Sequence, residues 1–138
     1  MKEKGILLPI FSLPSKYGVG DFGYEAYEFI DILSENGIRY WEILPINSCN
    51  NLPYSPISYY ALEETYISLD KLKNLHLIKN VEIRENTDKA IYDDFKEKYF
   101  KEAFNNFKNI LLNEENYAYY EYNNFINNEE ICNYAEFM

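Results

Sequence analysis

Three consecutive stretches decide the fold: Gly5-Ile6-Leu7-Leu8-Pro9-Ile10, then Ser12-Leu13-Pro14-Ser15-Lys16-Tyr17-Gly18-Val19-Gly20-Asp21-Phe22-Gly23, then Arg39-Tyr40-Trp41-Glu42-Ile43-Leu44-Pro45. The first is a continuous apolar run of strand length, the pattern of a strand buried on both faces of a parallel sheet. The second is dense in turn formers and reads as a loop. Across residues 24–36, Ala26, Phe29, Ile30 and Leu33 recur at helical spacing, with Asp21 ahead as a start signal and Gly37 behind as a stop. Residues 39–44 form a second strand, closed by Pro45. Strand, loop, helix and strand in this order make a βαβ unit, whose crossover is right-handed. In such α/β folds ligands meet the loops beyond the carboxyl ends of the strands. Here those loops are residues 11–23 and 45–61, which hold most of the prolines.

Working outward, residues 66–69 read as a short extended piece and residues 70–75 as a helix. Residues 88–112 have a strong helical pattern: Ile91, Phe95, Tyr99, Phe100, Ala103, Phe104, Phe107, Ile110 and Leu111 share one face. Asn86 or Thr87 would cap its start. Two more helices are expected at 116–125 and 129–138, both rich in tyrosine. The texture changes near residue 82. This divides the chain into an α/β part, residues 1–81, and a helical part, residues 82–138. Two parallel strands leave both sheet edges bare, and the last segment runs apolar to Met138, so a truncated fold is expected.

The chain has 138 residues and a formal net charge of −10. An acidic surface repels phosphate backbones, which argues against nucleic acid and against anionic membranes as partners. Nothing reaches the ~20 apolar residues of a membrane span, and Pro9 and Pro14 interrupt any resemblance to a leader peptide. Cys49 and Cys132 lack metal-ligand or framework spacing and read as free thiols, so a cytoplasmic setting is expected. No metal or organic cofactor is indicated. Gly18-Val19-Gly20 does not open a helix directly after a strand, so it is not a phosphate loop.

Three blocks together resemble glycoside hydrolase family 77, the 4-α-glucanotransferases or amylomaltases. Ser12-Leu13-Pro14 with residues 17–23 resembles the family's SLP…YG(I/V)GDxG loop. Residues 39–45 are similar to its RYWQxLP strand. Pro53-Tyr54, Ser58, Ala61 and Ile67-Ser68-Leu69-Asp70 match its SPYQxxSxxAxxxxYIxLD segment at the same spacing. The resemblance implies the N-terminal part of a (β/α)₈ TIM barrel followed by a helical insertion subdomain. It also implies a parent enzyme that transfers α-1,4-glucan segments between maltooligosaccharides, starch or glycogen. Its mechanism is retaining, with two carboxylates about 5–5.5 Å apart. In the family these carboxylates come from later barrel strands, so no catalytic residue carries over and this chain alone is expected to be inactive.

What does carry over is the loop. The resemblance puts Tyr54 beside the sugar subsite next to the scissile bond, where a phenol offers a pyranose ring an apolar face and a hydroxyl. Asn51 and Ser55 accompany it as substrate-binding candidates. The chain departs from the family at several points: Asn51 replaces Asp, Leu52 replaces Ser, Ser55 and Pro56 replace Gln and Ser, Pro9 replaces His, and Glu42 replaces Gln. These changes suggest a divergent branch.

Other residues have blander readings. Trp41 belongs to the core, and Asp21 is a loop anchor or helix cap. Glu63–Glu64 and Asp93–Asp94 point to different sides and are read as solvated charges. His76 is a surface residue, and the stripe from Phe95 to Phe107 is core. Tyr117, Tyr119, Tyr120 and Tyr122 are read as packing, with contact to long glucans as a lesser alternative. The rival to the transferase reading is a non-catalytic module that binds glucan or a protein partner through its aromatic surface.

Overall fold

A computed structural model describes residues 3–48, 54–56, 58–84 and 95–137. Strand β1 (Gly5–Leu7) is followed by helix α1 (Tyr24–Glu35) and strand β2 (Tyr40–Glu42). The two strands pair in parallel, with Gly5 opposite Tyr40, Ile6 opposite Trp41 and Leu7 opposite Glu42. The βαβ opening is therefore present, but both strands are shorter than expected. Pro9 starts a 3₁₀ turn, Ile10–Ser12, that ends the apolar run as extended chain.

The doubly buried strand is also corrected. All three residues of β1 are exposed: Gly5 and Leu7 lie on the face away from α1, and Ile6, in register with Trp41, is only partly covered at 36% exposure. Trp41 meets Phe29 of α1 edge-on, with ring centroids 5.0 Å apart, and its indole N–H donates to Leu8 O at 2.8 Å. Alternation along the strands leaves Leu7 and Tyr40 on the other face, where they are 59% and 56% exposed.

Helix α1 ends as its sequence suggests. Gly37 adopts φ +67°, its N–H donates to Ser34 O at 3.0 Å, and Ile38 N–H donates to Leu33 O at 2.9 Å. This is the paired-bond Schellman ending that a left-handed residue permits. At the other end the N-cap is Gly23, not Asp21, and no side chain caps it.

The expected extended piece at 66–69 begins instead as a 3₁₀ turn, Glu64–Tyr66, and α2 (Leu69–Asn74) follows. Helix α3 (Glu97–Leu111) starts later than expected, with Lys96 at its N-cap. Asn86, Thr87 and Ile91 lie outside the described residues. Helices α4 (Tyr117–Ile126) and α5 (Glu129–Phe137) complete the chain. Asn116 caps α4 by accepting from Ala118 N–H at 2.9 Å.

The main apolar cluster joins Tyr17, Leu69, Ile78, Tyr99 and Ala103, with Leu72, Leu77, Val81, Phe95 and Phe100 packed around it. Two residues of the α3 stripe, Tyr99 and Ala103, are thus core, whereas Phe104 is exposed. Side chains reinforce the junction: Asn106 Nδ2 donates to Leu77 O at 2.8 Å and Tyr99 hydroxyl accepts from Glu82 N–H at 3.0 Å. This packing crosses the residue 81–82 boundary. Burying large apolar side chains such as Leu69 contributes roughly 1.5–3 kcal/mol each. Helices α4 and α5 have no buried residue, and edge-on contact between Phe107 and Tyr122 ties α4 to α3.

Candidate functional site

Both loops expected to matter leave the carboxyl ends of β1 and β2, and each is held by contacts the fold supplies. In the first, Gly20 lies so close to the preceding turn that a Cβ there would stand 2.2 Å from Ile10 O and 2.8 Å from Leu13 Cβ. Only glycine lets the backbone cross at that point. One residue on, Asp21 Oδ2 receives Lys96 Nζ at 2.7 Å, with side-chain exposures of 5% and 4% respectively. The ammonium also donates to Thr65 O at 2.7 Å and Ile67 O at 3.0 Å. Phe22 N–H donates to Tyr66 O at 3.1 Å. Burial pushes the Asp21 carboxyl up and the Lys96 ammonium down, each opposed by the charge of the other. The ammonium's three donors all find acceptors, Asp21 Oδ2 and the two carbonyls, which offsets part of the burial of the pair.

Tyr17 and Lys16 make a second clamp on the same loop. Tyr17 hydroxyl donates to Asp70 Oδ1 at 2.7 Å, and Lys16 Nζ reaches Asp70 Oδ2 at 2.8 Å. Burial, followed by the hydrogen bond to Asp70, raises the Tyr17 phenol to about 12. The loop carrying Tyr17 and Asp21 is thereby joined to the segment carrying Asp70, two of the blocks on which the resemblance rests.

The second loop is closed at its base. Asn47 bridges antiparallel to Leu62, Ser48 N–H donates to Ala61 O at 2.7 Å, and Glu63 N–H donates to Ile46 O at 2.9 Å. Asn47 Nδ2 donates to Tyr59 O at 2.9 Å. The loop also leans on α5, since a hydrogen bond to Glu130 raises the Tyr60 phenol. Tyr54 stands out from this closed base, 77% exposed, and Ser55 beside it is also exposed. Asn51 lies outside the described residues, as do Cys49, Leu52 and Pro53.

Glu63 is a correction. It is buried rather than solvated, and its Oε1 accepts from Thr65 N–H at 3.3 Å and Thr65 Oγ1 at 3.1 Å, capping the 3₁₀ turn. Glu64 remains exposed, so the adjacent carboxylates do diverge. Asp93 and Asp94 lie outside the described residues. His76 is exposed, with φ +57°. Among the described residues no cluster of three His, Cys, Asp or Glu side chains could hold a metal ion, and no helix is long and apolar enough to cross a membrane.

Sequence reasoning missed Lys96. It sits in a run of charged residues, Asp93-Asp94-Phe95-Lys96-Glu97-Lys98, where nothing local distinguishes a buried lysine from a solvated one.

These features define an α/β chain with a parallel opening, two anchored loops beyond the strand ends and a helical continuation. Residues 8–138 match the model of the 4-alpha-glucanotransferase family, and the chain belongs to that family. It is 37% identical over 123 residues to a 4-alpha-glucanotransferase of Aquifex aeolicus, covering 83% of this chain and 25% of that protein. It is 33% identical over 120 residues to the 4-alpha-glucanotransferase of Thermus thermophilus, covering 83% of this chain and 24% of that protein. The solved amylomaltase from Streptococcus agalactiae in complex with acarbose superposes with a TM-score of 0.78 and 28% identity, covering 94% of this chain and 27% of that one. The chain therefore spans about a quarter of the length of these relatives.

Proposed function

We propose that this chain is the opening part of a 4-α-glucanotransferase that moves α-1,4-glucan segments between acceptor sugars by a retaining mechanism. The observation that carries this reading is the family match over residues 8–138. The βαβ start is read as the first strands of a (β/α)₈ barrel, with residues 82–138 as a helical insertion subdomain. In this reading a glucan lies against the loop 45–61, with Tyr54 stacking on a sugar ring and Asn51 and Ser55 offering hydrogen bonds. The 77% exposure of Tyr54 above a closed loop base supports that role, because a contact residue has to be reachable and held. A retaining transfer needs two carboxylates about 5–5.5 Å apart, and here these are assigned to the part of the family fold outside this chain. The 138-residue chain is accordingly inactive alone. The cysteine usage suits a cytosolic setting.

The test uses maltotriose, with release of glucose as the readout. The chain fused to the rest of the Aquifex aeolicus relative should disproportionate the trisaccharide, and the isolated chain should not. An inert but folded fusion would remove the transferase reading. Robust transfer by the isolated chain would overturn its inactivity.

A further inference from the structure

Asn36-Gly37 is the one Asn-Gly pair in the sequence. It forms the turn from α1 into β2, at the end of the strands opposite the loops 11–23 and 45–61, and both residues are exposed. Such a pair is chemically labile: the backbone nitrogen of the second residue can attack the side-chain amide carbon of the first, and glycine, with no Cβ, leaves the approach open. In the folded chain three features of the helix ending oppose that attack. Asn36 has ψ 9°, so Gly37 N nearly eclipses Asn36's own nitrogen and is turned away from the Cβ that bears its target carbon. Asn36 Nδ2 donates to Ile32 O at 2.8 Å, which holds the amide back along α1. Gly37 N–H donates to Ser34 O at 3.0 Å, which retains the proton the nitrogen has to lose. All three belong to one cap, and they are released together when the end of the helix opens, a local event that needs far less than global unfolding.

We propose that Asn36 is a modification site held closed by the α1 cap: when the cap opens, Asn36 converts to aspartate and isoaspartate without an enzyme. Gly37 N loses its proton and bonds to Asn36 Cγ, the Cγ–Nδ2 bond breaks, and ammonia leaves. Water then opens the cyclic imide. Opening at Cγ gives aspartate, and opening at the backbone carbonyl gives isoaspartate, in which the main chain runs through Cβ. The change does not reverse, since the ammonia is lost, and both products weaken the cap that guarded the site. Each removes the donor to Ile32 O and adds a negative charge beside Glu35, at the end of a helix whose last turn has no basic residue. That end of the helix dipole is already negative. Isoaspartate also lengthens the main chain just before Ile38 and Arg39, whose N–H groups donate to Leu33 O at 2.9 Å and Lys4 O at 3.0 Å. The second of these bonds fixes the lead into β2, so the change reaches the sheet. None of this depends on the transferase reading.

The test incubates the full 138-residue chain at neutral pH, in buffer and in concentrated urea, and follows it by peptide mass spectrometry with an isoaspartyl methyltransferase assay. In urea, Asn36 should convert faster than any other asparagine of the chain. Gly37→Ala should slow that conversion at least tenfold, a comparison in which folding plays no part. In buffer, conversion of the unaltered chain should be at least tenfold slower than in urea. The isoaspartate form, returned to buffer, should lose hydrogen-exchange protection at Ile38 and Arg39. Conversion of Asn36 in urea no faster than that of other asparagines, or indifferent to Gly37→Ala, removes the site. Equal rates in buffer and urea overturn the guarding role of the cap. Full protection of Ile38 and Arg39 in the isoaspartate form overturns the effect on the sheet.

Discussion

Lys96 Nζ lies 2.7 Å from Asp21 Oδ2, and neither side chain is more than 5% exposed. One ammonium thus ties the first loop, through Asp21, to the carbonyls of Thr65 and Ile67. Removing one partner strands the other charge in a low-dielectric interior, which costs about 3–5 kcal/mol. Asp21→Asn and Lys96→Met should each destabilise the chain on that scale in urea. The double variant should lose less than the sum of the two, with coupling of about 1 kcal/mol or more. Strictly additive losses would show that the two groups do not act as a unit.

The Tyr17–Asp70–Lys16 clamp predicts a pH signature at both extremes. The Tyr17 phenol rises from 10.0 to about 12 on folding. The stability it contributes is therefore whole below pH 10 and is lost as pH climbs toward 12. Burial would raise the Asp70 carboxyl, but its hydrogen bonds from Lys16 and Tyr17 outweigh burial and hold it below 3.8. Its contribution is present above that value and fades as acid protonates it. Tyr17→Phe should flatten the alkaline limb of a stability-against-pH profile, by up to about 3 kcal/mol. Parallel alkaline limbs for the two proteins would refute the assignment.

Two glycines should respond differently to alanine. At Gly37, with φ +67° and nothing within 4 Å of an added Cβ, the penalty is purely torsional, roughly 1–2 kcal/mol. At Gly20 the added carbon would meet Ile10 O at 2.2 Å, so the loop itself must move. Gly37→Ala should melt lower but keep its amide spectrum. Gly20→Ala should shift resonances from Ile10 through Phe22. Equal and small effects at both sites would contradict this distinction.

Glu63 caps a turn from a buried position. Glu63→Ala leaves Thr65 N–H and its hydroxyl unserved, which should lower stability by about 1–2 kcal/mol. Glu64→Ala, at the exposed neighbour, should change it by less than ~0.5 kcal/mol. Chemical denaturation of the two variants side by side decides the matter.

Tyr54 offers a clean separation of roles. Because it is 77% exposed, Tyr54→Ala should alter the chain's unfolding by no more than ~0.5 kcal/mol. In the fusion with the rest of the family fold, the same change should weaken glucan use about tenfold, in line with the loss of one ring-stacking contact. Unchanged kinetics on maltotriose would assign the residue to the loop alone.

The local grammar of the chain carried much of this fold. The spacing of Ala26, Phe29 and Leu33 and the stop at Gly37 located α1 almost to the residue, because helix ends are governed by groups within a few positions. Strand lengths were less legible, since the apolar run 5–10 has the composition of a core strand whatever covers it. Long-range electrostatics was not legible at all: Asp21 and Lys96 are 75 positions apart, and neither has a neighbour that announces the pairing. Glu63 was misread for a similar reason, since its burial depends on Thr65 and the 3₁₀ turn around it. In the loop 45–61, motif spacing drew attention to Tyr54, and the bridge between Asn47 and Leu62 that holds the loop closed had no sequence signal.

The span of the Asp21–Lys96 pair also sets an order of events during synthesis. A ribosome adding ~5–20 residues per second needs roughly 4–15 s to travel from one partner to the other. Through that interval the first loop is exported with its carboxylate hydrated and its anchor not yet made. Loop, turn and helix α3 can lock only when the lysine has cleared the exit tunnel, so the loop around Asp21 is fixed late although it is made well before its partner.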